Sequence, residues 1–535
     1  MSENLAKTIR RGTITLILAN FIVKFIGIIY KIPLTNIIGG YGMSFFNSAF
    51  EIHQLLLAFS TAGLPVALSK MISESNTLGR YREVKKIFHI TLITFTIVGF
   101  VGTAIMFLGA SAFSKMIYSD LTKYSIMALA PSMFFFSITA TFRGYFQGLQ
   151  NMKPTAITQV IEAICKLFVG IGLAYLLLSW GKGPQYVSAG AIFGTTFSTL
   201  IATMLIIGIY YLPKHRNHFS PEELLIGECR SGKVILKDLM KIVIPITLGS
   251  LVVNLTGFLD LFLIMNRLGD TGMTQQAANT CHGIYKSYAQ TLFNLPPSII
   301  TSINISIIPA VAAAFIKKDS QNLQNLIRKS LKIVILFAIP CGIGLTVLSG
   351  PILNLLYPAR PDEVLIAIPL LRVLGIASIW VSVASLTTAL LQAMGYVNLP
   401  LISLLTGGCI KLLTNYFLVG IPSIGIMGAP IGNNLCYLAI LFMNIYFLIH
   451  KAGVKTKLWS SMVKPFLAAL IMGLAALISY NLLEIFLYPN IATIIAILLS
   501  AIVYLLVLLA IKGINKDDIL MLPGGRKLAA ILKLK

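Results

Sequence analysis

Long apolar runs follow one another along nearly the whole chain, separated by short polar stretches. The runs are continuous rather than alternating, so each reads as a helix in lipid and not as a barrel strand. A helix crossing the hydrocarbon core needs roughly 20 apolar residues. Runs of that kind lie at 12–38, 45–72, 87–110, 122–148, 154–179, 187–211, 239–266, 276–314, 329–350, 363–393, 399–420, 425–449, 463–487 and 491–512. The pattern predicts an all-α integral membrane protein with about fourteen transmembrane helices, the eighth long or bent.

The chain also repeats itself. Thr35-Asn36-Ile37-Ile38-Gly39-Gly40-Tyr41-Gly42-Met43-Ser44 returns 230 residues later as Met265-Asn266-Arg267-Leu268-Gly269-Asp270-Thr271-Gly272-Met273-Thr274. Gln147 and Lys166 are echoed by Gln392 and Lys411, both pairs 19 residues apart. Gly190-Ala191-Ile192-Phe193-Gly194 is echoed by Gly428-Ala429-Pro430-Ile431-Gly432. The echoes keep their order, so two pseudo-symmetric six-helix lobes are expected: 1–214 and 239–450, joined by a cytoplasmic linker at 215–238. The helix pair within 451–512 has no counterpart in the repeat, and 513–535 is expected as a cytoplasmic tail. Its piece Arg526–Lys533 reads as a short amphipathic segment lying on the inner leaflet. Duplicated, very apolar chains are a common plan for alternating-access transporters.

Composition agrees with this plan: 57% of residues are hydrophobic and 11% charged, against about 25% charged in soluble domains. The mean hydropathy is +0.86. A net charge of +24 raises the question of nucleic acid, and the placement of the charge answers it. Lys7, Arg10 and Arg11, then Arg80, Arg82, Lys85 and Lys86, then Lys214, Arg216, Arg230, Lys233 and Lys237 sit in loops of one parity. Lys317, Lys318, Arg328, Lys329, Lys451, Lys455, Lys457, Lys512, Lys516, Arg526 and Lys527 continue that parity. The other loops hold only Lys115, Lys123, Lys182, Arg267 and Arg360. This is the positive-inside pattern, which puts both termini in the cytoplasm and makes anionic membrane lipids, not nucleic acid, the partner of the excess charge. The first apolar run continues past any small-residue cleavage site, so it reads as a membrane helix rather than a signal peptide. Six cysteines include no CxxC, and those in apolar runs read as small buried hydrophobes.

Glycine and proline punctuate the runs at Gly27, Pro33, Gly63, Pro65, Pro131, Pro245, Pro296, Pro297, Pro309, Pro340 and Pro369. They read as helix ends and tolerated kinks, or as hinges.

Ionisable side chains inside apolar runs need a partner, water or a function. Lys24 and Lys31 are seven residues apart on one helix face. Lys31 matches Glu51 in depth and is a candidate ion pair with it. Lys24 sits near mid-membrane with no matching acid on the next run, and so is the first candidate to face a substrate anion. In the second half Asp260 matches Lys286 in depth. Either the two pair, or Asp260 is a coupling site for H⁺ or Na⁺. Glu162 and Lys166 stand at i, i+4 in the favoured order, whereas Lys411 has Gly407 in place of the acid. Arg143 and Arg372 come from the fourth run of each half. His53 and His282 read as packing residues. Lysine offers a point charge and arginine a bidentate fork for phosphate oxygens. The candidate substrate-binding set is therefore Lys24, Lys31, Arg143, Lys166, Lys286, Arg372 and Lys411, with Glu51, Glu162 and Asp260 as structural or coupling acids. No phosphate-binding loop, zinc site or catalytic triad is visible, so no enzyme activity and no cofactor beyond a coupling ion is expected.

Arg143-Gly144-Tyr145-Phe146-Gln147-Gly148-Leu149-Gln150-Asn151-Met152-Lys153-Pro154-Thr155, followed by Gln159-Val160-Ile161-Glu162, resembles the stage V sporulation protein B branch of the polysaccharide exporters. Gly63-Leu64-Pro65-Val66-Ala67-Leu68-Ser69-Lys70 fits the same branch. The resemblance spans nearly the whole chain. The branch belongs to the superfamily of lipid II flippases, O-antigen-type flippases and multidrug and toxin extrusion antiporters. The resemblance implies a V-shaped, two-lobed and monomeric flippase in the bacterial cytoplasmic membrane. It also implies a cationic central cavity and a groove for a lipid tail formed by the last two helices. Lys24 falls where lipid II flippases carry a basic residue in the first helix. Their arginines in the second and eighth helices are missing here, around Leu57 and Thr291, although Lys286 is close to the latter.

The implied cargo is an undecaprenyl-diphosphate-linked glycan, with lipid II first. Drug or organic-cation antiport is the competing expectation, and it would need acids rather than cations in the cavity. A membrane glycosyltransferase would need a sizeable loop bearing acidic residues, which the short outer loops do not provide.

Overall fold

The computed structural model describes residues 2–212, 230–451, 453 and 458–514. Most of the expected linker, Lys455 and Lys457, and the tail from 515 onward, including Arg526–Lys533, lie outside the described residues. Every described element is helical. Two compact units emerge from the packing: residues 1–269 with 274–283, and residues 270–273 with 284–535.

The first unit starts with α1 (Ser2–Thr61), which is two helices joined at Gly39. There φ is 73° and ψ is 175°, a backbone state open to glycine and strained for other residues. Gly63 separates α1 from α2 (Leu64–Thr77), followed by α3 (Tyr81–Leu108), α4 (Pro131–Gly148), α5 (Lys153–Ser179), α6 (Pro184–Tyr211) and α7 (Gly232–Asp270). Proline opens α2, α4, α5 and α6, where its missing N–H has no helical partner to lose. Pro33 and Pro245 lie inside α1 and α7.

The core of this unit gathers Leu64, Leu68 and Ile72 of α2, Ile87 and Phe88 of α3, and Phe142, Tyr145 and Phe146 of α4. Phe88 makes ring contacts with Phe142, Tyr145 and Tyr210 at centroid distances of 5.1, 4.7 and 5.2 Å. Gly144 and Gly148 let α4 close on α2: a Cβ on Gly144 would stand 3.2 Å from the Pro65 backbone. The sequence repeat starts its second half at 239, but packing assigns α7 as far as Gly269, and residues 274–283, to the first unit, with Ile235, Leu239 and Val243 completing this core.

A charged clamp secures that assignment. Arg230 donates from Nη2 and Nε to Glu83 Oε1 at 2.7 and 2.9 Å, and from Nη1 to Asp238 at 2.7 Å. Ser75 donates to the same Glu83 oxygen at 3.0 Å, and Lys86 to the Arg230 carbonyl at 2.7 Å. Charge counting had placed Arg230 among the topology signals, and the structure gives it specific partners as well.

After α7 comes α8 (Gln275–Ile284), a π-helical turn at Tyr285–Ala289, a short helix Gln290–Phe293 and α9 (Leu295–Ile316). The eighth expected helix, long or bent over 276–314, is thus a bent helical run interrupted by the π-helical turn and at Asn294. The interruption at Asn294 comes just before Pro296 and Pro297, which sit in the first turn of α9, where a missing N–H costs no helical hydrogen bond. In the first unit α8 is held by Ser44, which hydrogen-bonds Asn279 at 2.9 Å and His282 Nδ1 at 3.0 Å, while Ser119 donates to Asn279 at 2.7 Å.

The second unit contains α9, α10 (Ser320–Val347), α11 (Pro361–Ala393), α12 (Asn398–Val419), α13 (Gly428–His450), α14 (Leu458–Phe486) and α15 (Pro489–Ala510). Gly342 and Gly375 bring α10 and α11 together: a Cβ on Gly375 would stand 2.9 Å from the Gly342 carbonyl. Asn444 of α13 donates to Thr388 and Thr387 of α11 at 2.9 and 3.2 Å. Tyr504 of α15 donates to the Leu336 carbonyl of α10 at 2.8 Å, tying the last helix to the unit.

Among the described residues, twelve stretches are long and apolar enough to cross a membrane. The expected count was about fourteen. The first stretch, Leu18–Thr77, is 60 residues long, roughly 90 Å if straight against a hydrocarbon core of about 30 Å. It is bent at Gly39, and its length covers two expected helices. The other difference is the eighth expected helix, now in pieces. Large apolar side chains such as Leu108, Phe168, Phe442 and Phe486 stand exposed on the helices, as a lipid-facing surface requires. Cys436 is buried and Cys409 exposed, so the buried-hydrophobe expectation fails for Cys409.

The duplication is visible in the packing. Gly170 and Asn415 are repeat partners, being four residues after Lys166 and Lys411. In the first unit a Cβ on Gly194 would stand 2.6 Å from the Gly170 backbone and 3.4 Å from the Lys166 carbonyl oxygen. In the second unit a Cβ on Gly432 would run into the Asn415 amide oxygen and stand 3.5 Å from the Lys411 carbonyl oxygen. The same two helix faces meet at the same residues in both halves.

Candidate functional site

In the first unit a cavity of about 560 Å³ opens among α1, α4, α5 and α6. Both legs of α1 contribute, with Asn20, Gly27, Tyr30 and Lys31 before the Gly39 bend and Asn47, Phe50, His53 and Gln54 after it. Ser132 and Arg143 come from α4, Gln159, Glu162 and Lys166 from α5, and Thr195 and Thr199 from α6. On α5 the three polar residues are spaced i, i+3, i+7, which makes one stripe along the helix.

Glu162 is engaged from the neighbouring helix. Arg143 Nη2 donates to Glu162 Oε2 at 2.8 Å, Arg143 Nε reaches Thr158 Oγ1 at 3.3 Å, and Thr199 reaches Glu162 Oε1 at 3.4 Å. The expected i, i+4 pair of Glu162 with Lys166 is not formed; the carboxylate turns to Arg143 instead. Lys166 lies over two aromatic faces, with Nζ 5.5 Å from the Tyr30 ring centroid and 5.2 Å from that of Phe50. These distances are in the cation–π range. Among the described residues its ammonium has no hydrogen-bond or ion-pair partner. Tyr30 is positioned by its hydroxyl, which donates to the Ala191 carbonyl at 3.1 Å, and by Gly170, whose missing side chain leaves room for the ring.

His53 has an assignable tautomer. Ser132 Oγ is 2.6 Å from the Leu129 carbonyl, which can only accept, so the single hydroxyl proton is committed there. The 2.8 Å contact between Ser132 Oγ and His53 Nε2 is then donated by the ring. His53 Nδ1 is left as an acceptor, and it has no partner among the described residues. Gln159 Oε1 and Thr195 Oγ1 are likewise buried without a partner.

The remaining candidates are dispersed. Lys24 is exposed and is not part of the cavity lining, although it shares a helical stripe with Asn20, Gly27 and Lys31, which are. Glu51 points toward α7, where a Cβ on Gly257 would stand 3.0 Å from its Oε2, and Asp260 is buried one turn further on. His282 is buried against Ser44. In the second unit Lys286 is buried in the π-helical turn, 6.0 Å from the Tyr285 ring centroid. Around that turn Asn433 donates to Tyr285 Oη at 2.7 Å, Tyr288 donates to Glu363, and Tyr357 donates to the Ser287 carbonyl at 3.2 Å. Arg372 is exposed, with Nε 3.3 Å from Ser349 Oγ. Lys411 is half-buried on α12. Gly407, the counterpart of Glu162, abuts α13: a Cβ there would stand 2.9 Å from the Cys436 carbonyl, leaving no room for an acid.

A second cavity, of about 570 Å³, lies in the second unit among α9, α10, α14 and α15. Leu295, Ile299, Leu336, Phe337, Pro340, Leu345, Met472, Ile497, Leu505 and Leu508 make its wall. Its tyrosine, Tyr504, has its hydroxyl committed to the Leu336 carbonyl, so the surface offered is almost wholly apolar. The two helices without a repeat counterpart, α14 and α15, complete this cavity.

Sequence reasoning missed Tyr30, Phe50, Gln159, Thr195 and Thr199. A signal existed for some: Gln159 stands on the Glu162–Lys166 stripe, and Thr195 and Thr199 are at i, i+4 in an apolar run. For Tyr30 and Phe50 none existed, because aromatic residues in membrane helices read as packing.

The polysaccharide biosynthesis protein family profile matches residues 9–315, more than half of the chain. Stage V sporulation protein B of Bacillus subtilis (strain 168) is 24% identical over 525 residues, which is 97% of this chain and 98% of that protein. Lipid II flippase MurJ of the same organism is 25% identical over 482 residues, 87% of each chain. Among solved structures, lipid II flippase MurJ in an inward closed conformation superposes with a TM-score of 0.67 at 17% identity, covering 92% of this chain and 98% of that one. An inward-facing multidrug resistance MATE family transporter of the MOP superfamily gives 0.65 at 18% identity, covering 79% and 95%. The chain belongs to the polysaccharide biosynthesis protein family, and it has the multi-pass membrane fold shared by lipid II flippases and MATE transporters.

Proposed function

We propose that the protein is a flippase that carries an undecaprenyl-diphosphate-linked glycan, lipid II first among them, across the bacterial cytoplasmic membrane by alternating access. One observation carries the proposal: two cavities of nearly equal size, about 560 and 570 Å³, have opposite chemistry. One carries Lys31, Arg143 and Lys166 with uncharged polar side chains among apolar ones. The other is a hydrocarbon wall. A cargo with a charged, hydroxylated head and a long apolar tail needs both, since the head does not cross lipid and the tail does not cross a wet path. Lys24, Lys31, Arg143, Lys166, Lys286, Arg372 and Lys411 are the candidate head-group cations, and Glu51, Glu162 and Asp260 the candidate structural or coupling acids. An H⁺ or Na⁺ gradient is the candidate driving force. The relative named lipid II flippase MurJ supports the same cargo class.

Antiport of organic cations is the second reading, supported by the likeness to a MATE transporter. Lys166 opposes it, because its ammonium, without a hydrogen-bond or ion-pair partner among the described residues, repels a cationic drug. Conditional depletion tests the choice: an undecaprenyl-diphosphate-linked intermediate should accumulate in the inner leaflet. Unchanged lipid intermediates, together with saturable binding of a hydrophobic cation and none of the diphosphate lipid, would sink the flippase reading.

A further inference from the structure

The polar cavity of the first unit has a donor and acceptor pattern of its own. Lys166 presents an ammonium without a hydrogen-bond or ion-pair partner among the described residues, while the nearest acid, Glu162, is committed to Arg143 at 2.8 Å. His53 Nδ1 and Gln159 Oε1 are acceptors without partners, and Thr195 Oγ1 is a hydroxyl without one. These three atoms are buried as placed; a matching ligand must bring an anionic acceptor for Lys166 and hydroxyl partners for Gln159 and Thr195 once those side chains turn toward it. An inorganic anion brings no such set of donors, and a neutral polyol brings no charge. Phe50 and Tyr30 add apolar ring faces beside the ammonium. The volume of about 560 Å³ falls in the usual range for small-molecule sites, roughly 300–1,000 Å³. At about 30 Å³ per water, it has room for nearly twenty waters, far more than one small anion fills.

We propose that this cavity is a subsite for a sugar bearing a carboxylate, with Lys166 pairing the carboxylate and the Gln159 and Thr195 side chains, turned toward the cavity, meeting ring hydroxyls. The inference rests on the flippase reading and narrows it, because it assigns the glycan part of the cargo to the first unit and makes Lys166 the residue that selects an acidic sugar. Glu162 is held by Arg143 at 2.8 Å and so forms no hydrogen-bonded ion pair with Lys166. A change of χ1 at Thr195 and a turn of the Gln159 amide about its last torsion bring these groups to the cavity without backbone movement.

The test uses the full-length protein in lipid nanodiscs and three probes with the same short polyprenyl diphosphate: one carrying glucuronic acid, one carrying glucose, one carrying no sugar. The two sugars differ only in carboxylate against hydroxymethyl. Wild type should bind the glucuronosyl form about tenfold or more tightly than the glucosyl form. That ratio should fall to near one in Lys166→Gln and survive in Lys166→Arg, which keeps the charge. Ala163→Phe, which fills the cavity from its α5 wall, should weaken both sugar forms. A wild-type ratio near one, or a preference that survives Lys166→Gln, overturns the subsite. If the bare diphosphate binds as tightly as both sugar forms, only the subsite fails. If none of the three binds, the flippase reading fails with it.

Discussion

Arg143 on α4 and Glu162 on α5 form an ion pair of 2.8 Å that ties two helices together at the wall of the polar cavity. The Arg143 side chain is 9% exposed and that of Glu162 22%, so each charge is removed from most of its solvent. Arg143→Met alone, or Glu162→Gln alone, should lower stability by about 3 kcal/mol, the lower end for a buried pair. The double variant should recover much of the loss. Thermal unfolding in detergent reads both. Additive effects across the cycle would show that the pair contributes no coupling.

Lys24 should matter through its charge. Lys24→Ala is expected to abolish complementation of a depleted strain while the protein still inserts, and Lys24→Arg to keep part of the function. Charge reversal to Glu should be at least as damaging, since it would repel a diphosphate. Full complementation by Lys24→Ala would remove Lys24 from the substrate path.

Gly170 makes a separate, structural prediction. A Cβ there would stand 2.7 Å from Tyr30 Oη and 2.9 Å from the Ala191 carbonyl. Gly170→Ala should cost about 1–3 kcal/mol through overpacking, with part of that loss recovered in a Tyr30→Phe background, which removes the nearest atom. A thermal shift that is the same in both backgrounds would show that Tyr30 is not the obstruction.

The apolar cavity should read tail length. Gly344 lines it and has open space in front of it, the nearest atom to a Cβ being Met472 Cε at 4.0 Å. Gly344→Phe should weaken binding of a long-chain polyprenyl diphosphate sugar more than that of a short-chain one. Equal loss for both chain lengths would argue that this wall does not hold the tail.

Topology rests on parity. Reporter fusions near Lys233 and Lys455 should score cytoplasmic and one near Lys182 external. Reversal at any of the three would break the orientation drawn from the basic loops.

The extended apolar runs were legible because burial in lipid demands continuity, and continuity survives in a one-dimensional string. The repeat was legible for a related reason. Gly190, Gly194, Gly428 and Gly432 are held by close helix contacts, and a larger side chain at Gly194 or Gly432 has nowhere to go. Ion pairing was harder to read. The i, i+4 rule sees one helix at a time, so it paired Glu162 with Lys166 and could not weigh Arg143 arriving from α4. The break after α8 was hinted at by Pro296 and Pro297, but the π-helical turn at Tyr285–Ala289 left no periodicity to find. The cradle of Lys166 was invisible because a tyrosine and a phenylalanine on different legs of α1 become neighbours only after the bend at Gly39.

Pro33 gives that first leg of α1 a mechanical character. Proline removes one backbone hydrogen bond from the helix interior, and kinks of more than about 20° commonly sit at such positions. Lys24 lies nine residues before Pro33, an arm of roughly 14 Å along the axis. A swing of about 20° at the proline would carry Lys24 through some 5 Å. Tyr30, three residues from the pivot, would move by only about 1.5 Å. Any swing of this leg about Pro33 would therefore displace Lys24 about three times as far as Tyr30, simply because Lys24 stands three times as far from the pivot.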